Sequence, residues 1–184
     1  SVGVMGAGTG VDSSKYVARR EIPVFIEENC TQCMDCITVC PDTALPNTAQ
    51  DIATVLRTAI NGYVSDDAAK KLLLDQVPAI EAGCRAKLLA LSNVKDDTTR
   101  FKDIAVEQLR TLKDVPALAI KEVEAILETL PIAYRNTKAI FLNKEKKEPG
   151  SGGLFSIFVS DLCKGCAACV TACGDHQALK MITE

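Results

Sequence analysis

The chain has 184 residues, 47% of them hydrophobic, and a formal net charge of −3. That length and apolar content allow one core or a small domain with an insertion, and the acidic balance argues against nucleic acid as a partner. No apolar run approaches the roughly 18 residues of a membrane helix, and the start, SVGVMGAGTG, has no charged segment followed by an apolar one as a secretory leader would.

Residues 1–20 are rich in Gly and Ser and then basic (Lys15, Arg19, Arg20), which reads as an arm or linker. Gly6, Gly8 and Gly10 miss the G-x-G-x-x-G spacing of a dinucleotide loop. Residues 21–28 (EIPVFIEE) hold a short β-prone run, with Pro23 at its start or on an edge. Four cysteines follow at C-x2-C-x2-C-x3-C spacing, namely Cys30, Cys33, Cys36 and Cys40, then Pro41 and a short DTAL segment.

From residue 46 to 153 the texture is helical. Asn47 and Gln50 have capping-box spacing, ahead of Ile52, Val55, Leu56, Ala59 and Ile60 at helical period. Leu73, Val77, Ile80, Cys84, Leu88 and Leu91 form a second stripe, with a kink expected at Pro78. Phe101, Ile104, Ala105, Gln108, Leu109 and Leu112 form a third. Pro116 suits the first turn of a fourth helix carrying Ile120, Val123, Leu127 and Leu130, and a further helical piece is expected over 131–142. Residues 144–153 (KEKKEPGSGG) read as a solvated exit linker.

The first pattern then returns. Residues 155–160 (FSIFVS) are β-prone, and Cys163, Cys166, Cys169 and Cys173 repeat the spacing, with Gly174 next. Residues 178–183 (ALKMIT) suit a closing strand. The expected fold is α+β: a two-cluster, bacterial ferredoxin-like domain (residues 21–45 and 154–184) interrupted by an inserted α-helical subdomain (46–153), behind an arm at 1–20.

Eight of the nine cysteines thus stand in two copies of the ligand spacing of [4Fe–4S] proteins. In two-cluster ferredoxins the fourth cysteine of each motif serves the other cluster. Applied here, cluster I takes Cys30, Cys33, Cys36 and Cys173, and cluster II takes Cys163, Cys166, Cys169 and Cys40. The two motifs must then lie side by side, and the insertion must leave and re-enter at nearby points. Two oxidised clusters with their thiolates lower the charge from −3 to about −7, as in an acidic electron carrier. Zinc is the competing occupant, although its sites usually show two separated C-x2-C pairs. Thiolates kept for metal, with no leader, point to the cytoplasm.

Phe25, Ile37, Val39, Phe158, Leu162, Val170 and Leu179 are the candidate apolar shell, and Thr31, Gly165, Ala167 and Ala168 would let amides approach sulfur. Cys84, on an apolar stripe, reads as a buried structural thiol. His176, the one histidine, reads as a surface or packing residue. No catalytic constellation is visible.

Residues 22–45 (IPVFIEENCTQCMDCITVCPDTAL) and 155–173 (FSIFVSDLCKGCAACVTAC) resemble the ferredoxin-like domain of 2-oxoacid:ferredoxin oxidoreductases, above all pyruvate:ferredoxin (flavodoxin) oxidoreductase. Residues 13–23 (SSKYVARREIP) resemble the linker entering that domain. The resemblance implies an electron-relay domain of an enzyme that converts pyruvate and coenzyme A to acetyl-CoA and CO2. Thiamine diphosphate, Mg and a third [4Fe–4S] cluster would lie on other domains. Ferredoxin or flavodoxin would be the acceptor, and the partners would be other domains or subunits, without membrane or nucleic acid. Two features depart from the family: Gly174 stands where Pro is common, and the helical insertion is longer than pyruvate enzymes lead one to expect. A free-standing two-cluster ferredoxin and a structural or interaction protein stapled by metal are the alternatives.

Overall fold

The computed structural model describes residues 19–92, 94 and 99–183. Most of the expected arm, with Lys15, Gly6, Gly8 and Gly10, lies outside the described residues.

Two antiparallel strand pairs are built from chain-distant segments. β1 (Glu21–Phe25) pairs with β4 (Leu179–Thr183), Phe25 opposite Leu179 and Glu21 opposite Thr183. β2 (Asn47–Gln50) pairs with β3 (Leu154–Ile157), Asn47 opposite Ile157. Each half therefore contributes one strand to each sheet. Alternation along β1 sends Pro23 and Phe25 inward and leaves Val24 outward.

Asn47–Gln50, expected as the start of a helix, is instead strand β2. The cap lies one residue further on. Asp51 accepts the Thr54 N–H at 2.5 Å and opens α2 (Ile52–Tyr63), whose Ile52, Leu56, Ala59 and Ile60 are buried. A strand won over the capping spacing because β3 offers Asn47–Gln50 a ladder, which local sequence cannot reveal. α1 (Asp35–Thr38), within the first cysteine motif, lies between β1 and β2, and its counterpart α7 (Ala168–Cys173), within the second, lies between β3 and β4.

The long stripe forms α3 (Asp67–Leu91), which runs on through Pro78. Val77 and Ile80, 0% and 2% exposed, anchor the helix in the core on either side of the proline and offset the lost hydrogen bond. Asp66 caps it through the Ala68 and Ala69 amides. α4 (Phe101–Arg110) and α5 (Ala117–Thr129) complete the bundle, burying Phe101, Ile104, Leu109, Val123 and Leu127.

Residues 131–142 do not form the expected helix. Ala133 makes an isolated bridge to Phe155, with N–H···O bonds of 2.7 and 3.0 Å, so this segment borders β3 as an extended piece. The helix starts later, as α6 (Leu142–Lys147), and runs into the stretch read as a solvated linker. Glu145 explains the difference. It is 5% exposed and accepts from Arg85 Nη1 at 2.7 Å and from the Gly152 and Gly150 amides at 2.8 and 3.0 Å. A buried carboxylate needs such partners, and here they tie the returning chain to α3.

Two apolar clusters result. One joins α2–α5 with Phe141, Leu142 and Leu154. The other gathers Phe25, Leu45, Ala133, Phe155, Ile157, Ala178 and Leu179 around four buried cysteines. No helix among the described residues is long and apolar enough to cross a membrane.

Candidate metal centres

The two cysteine motifs have matching backbones. In the first, Gln32 and Met34 flank Cys33 with φ of 63° and 70°; in the second, Gly165 and Ala167 flank Cys166 with φ of 70° and 61°. These left-handed positions fold the chain sharply, so that successive sulfurs turn toward one side. A short helix follows each. The Met34 carbonyl accepts from the Ile37 and Thr38 amides and the Thr38 hydroxyl, as the Ala167 carbonyl does from Val170 and Thr171. Gly165 suits its place for a second reason: a Cβ there would stand 2.5 Å from the Glu21 carbonyl oxygen.

After the fourth cysteine the halves differ by one residue. Cys40 is followed by Pro41, Asp42, Thr43, Ala44 and Leu45; Cys173 by Gly174, Asp175, His176, Gln177, Ala178 and Leu179. Gly174 has φ 50° and ψ −128°, which proline's ring forbids, so the glycine absorbs the extra residue. Both paths then pass a left-handed residue, Thr43 or Gln177, and converge on one device. The Ala44 N–H donates to Cys40 Sγ at 3.2 Å, and the Ala178 N–H to Cys173 Sγ at 3.2 Å.

Two small cavities lie among these elements. One is lined by Cys30, Cys33, Cys36 and Cys173, with Phe25, Phe155, Ile157 and Leu179 as apolar wall. The other is lined by Cys40, Cys163, Cys166 and Cys169, with Pro23, Ala44 and Leu45. The second cysteine of each motif, Cys33 or Cys166, is exposed, and the other residues of each set are buried or nearly so. None of the nine cysteines forms a disulfide. Burial pushes the Cys36 thiol up to about 11, with the sulfurs of Cys173, Cys30, Cys33 and Cys169 adding to it. Burial also raises Cys30, against the pull of the Gln32 amide, and Cys169, against that of the Val170 amide. Crowded, desolvated thiols of this kind suit a cationic core that neutralises several thiolates at once.

Among the described residues no three His, Cys, Asp or Glu side chains converge as they would on a single metal ion.

Several expected shell residues face outward: Val39, Phe158 and Leu162 are 43%, 38% and 51% exposed. Leu45, Phe155, Ile157, Ala44 and Ala178 do that work instead. An Ala-Leu pair after each motif (Ala44-Leu45, Ala178-Leu179) was the signal for four residues of this wall. Gly165 brings its amide to 3.4 Å from Cys163 Sγ. Cys84 lies far from both sets in the helical core, 0% exposed, and burial pushes its thiol up to about 12. His176 is exposed at the rim of the first cavity.

Residues 22–45, which contain the first four cysteines, match the family described as 4Fe-4S binding domain. No curated protein and no solved structure matches the chain. Sulfur grouping and family match together make the first motif a cysteine-bound [4Fe–4S] segment, in a mixed α+β chain with a substantial helical region.

Proposed function

We propose that the chain holds two [4Fe–4S] clusters and relays electrons one at a time inside a 2-oxoacid:ferredoxin oxidoreductase. Cys30, Cys33, Cys36 and Cys173 would hold cluster I; Cys163, Cys166, Cys169 and Cys40 would hold cluster II. The observation that carries this reading is the lining of each cavity by three cysteines of one motif and the fourth of the other. Such a cluster, when bound, takes up and gives back single electrons.

The chain's own residues do the rest. Amides of Ala44, Gly165 and Ala178 donate to sulfur and so favour thiolate and added negative charge. Phe25, Phe155, Ile157 and Leu179 keep water from the first site, and Leu45 from the second. Cys33 and Cys166 leave one edge of each site at the surface, where electrons can enter and leave.

The likeness of residues 22–45 and 155–173 to the ferredoxin-like domain of pyruvate:ferredoxin oxidoreductase supports the wider setting. In that setting carbon chemistry runs on thiamine diphosphate and Mg in other domains, next to a third cluster. Electrons pass outward to ferredoxin or flavodoxin, and the location is cytoplasmic.

Anaerobic reconstitution with iron and sulfide tests the relay. The expected result is about eight irons per chain and two interacting EPR signals after dithionite. Stoichiometric zinc with no reducible signal would sink it. Native mass spectrometry of the purified complex tests the setting. A thiamine-binding domain on the same chain or a partner is expected, and a lone small ferredoxin would refute it.

A further inference from the structure

Strand β3 stands between the two apolar clusters. Side chains alternate along a strand, so Phe155 and Ile157 face one way and Leu154 and Ser156 the other. The clusters follow that alternation: Phe155 and Ile157 belong to the one around the cysteines, and Leu154 to the helical one. On β2, Thr48 opposite Ser156 and Gln50 opposite Leu154 continue the second face. The β2–β3 sheet is therefore a partition one layer thick, with the first cysteine-lined cavity on one side of it.

On the other side lies a cleft of about 240 Å³, against about 20 Å³ for each cysteine-lined cavity. Val55 and Ala59 of α2 and Ile126 and Leu130 of α5 form its apolar walls, and the short side chains of Thr48 and Ser156 leave the space open. Ser156 spends its hydroxyl on the Pro131 carbonyl. The hydroxyls of Thr48, Thr58 and Tyr63 and the side-chain amide of Gln50 are then the hydrogen-bond donors of the lining. Tyr63 and Phe158, 56% and 38% exposed, stand at the mouth. An apolar body with a few neutral polar groups is the make-up of a small-molecule site. No lining residue is charged, so a nucleotide or carboxylate would give up its water with no opposite charge in return.

We propose that this cleft binds a small uncharged quinone, which takes electrons from the first site across the sheet. The electron step rests on the two-cluster relay reading. A quinone ring is apolar on its faces and accepts hydrogen bonds at its two carbonyl oxygens, which complements aliphatic walls and neutral donors. Each reduced cluster gives up one electron, that of the second site passing through the first. Two protons enter from solvent at the open mouth. The two carbonyls become the hydroxyls of the quinol, and both clusters return to their oxidised form.

Duroquinone is the probe, because its four methyl groups block addition of cysteine thiols to the ring. Calorimetry on the oxidised, reconstituted full chain should show one molecule bound per chain. Thr58→Trp, at an exposed position of α2, sets an indole into the cleft and should weaken binding about tenfold. Tyr63→Phe, which removes one donor and no bulk, should weaken it about fivefold. The chain is then reduced with dithionite, freed of excess reductant and mixed with duroquinone. Cluster reoxidation should saturate with quinone concentration and slow in Thr58→Trp. Absence of saturable binding overturns the proposal, as does binding indifferent to both variants. Reoxidation linear in quinone and equal in the variants overturns the electron step. A dimer in sedimentation that Thr58→Trp dissolves would make the cleft a contact between copies instead. Absence of EPR-active clusters would refute the relay reading, whereas the calorimetry judges the binding site by itself.

Discussion

Cys173 and Cys30 lie near opposite ends of the described chain, yet both line one cavity, and the Cys173 sulfur adds to the burial that raises the Cys30 thiol. Cys173→Ser should therefore disturb the EPR signal of the cluster held by Cys30, Cys33 and Cys36 and leave the other nearly unchanged. The reverse pattern would break the crossed assignment. Cys84 carries the opposite expectation. Its thiol is pushed up to about 12 by burial, so thiolate appears only well above neutral pH. Alkylation of Cys84 in the native chain should stay negligible from pH 7 to about 10, where an ordinary thiol of pKa about 8.5 ionises. Cys84→Ala should leave the iron content intact, and a loss of about four irons would make it a ligand after all. Membership of the two motifs was legible because ligand spacing is a local property. The walls of the sites were not, since Phe155 and Ile157 reach the first cavity only through strand pairing.

At the scale of elements, the helices follow the apolar period, and the departures from it have identifiable causes. Asp51 sits one residue beyond the spacing that Asn47 and Gln50 offered, because β3 claims Asn47–Gln50 as a strand. Asp51→Ala should cost roughly 1 kcal/mol in urea unfolding followed by far-UV circular dichroism. The last helix, α6, is held by the ion pair of Glu145 and Arg85, whose side chains are 4% and 10% exposed. Arg85 also donates to Glu81 at 2.7 Å and to the Gly152 carbonyl at 2.8 Å. Removing one member of such a buried network leaves a desolvated charge, so Glu145→Ala should destabilise by about 3–5 kcal/mol. A loss under about 1 kcal/mol would mean that residues 144–153 behave as the solvated linker their composition suggests. Composition failed there because three lysines surround one inward-facing glutamate, and the partner of that glutamate lies 60 positions away.

Across the whole molecule, the strands of the two halves are exchanged: β1 with β4 and β2 with β3. The cysteine-lined cavities lie within this exchanged part, whereas α2–α5 carry their own apolar cluster. Stability should be divided in the same way. Removing iron with a chelator should collapse hydrogen-exchange protection in β1–β4 and around Cys36 and Cys169, while α3 and α4 keep theirs. Simultaneous loss everywhere would show one cooperative unit. The sequence by itself determined the chemistry and the class of structure. Cysteine spacing, helical period and β-prone runs are all carried by near neighbours. Tertiary structure alone decided that Asn47–Gln50 is a strand, that Glu145 is buried, and that Arg19 lies against the second motif. Each of those depends on groups brought together from distant parts of the chain, and their cost or gain exists only once the chain has folded.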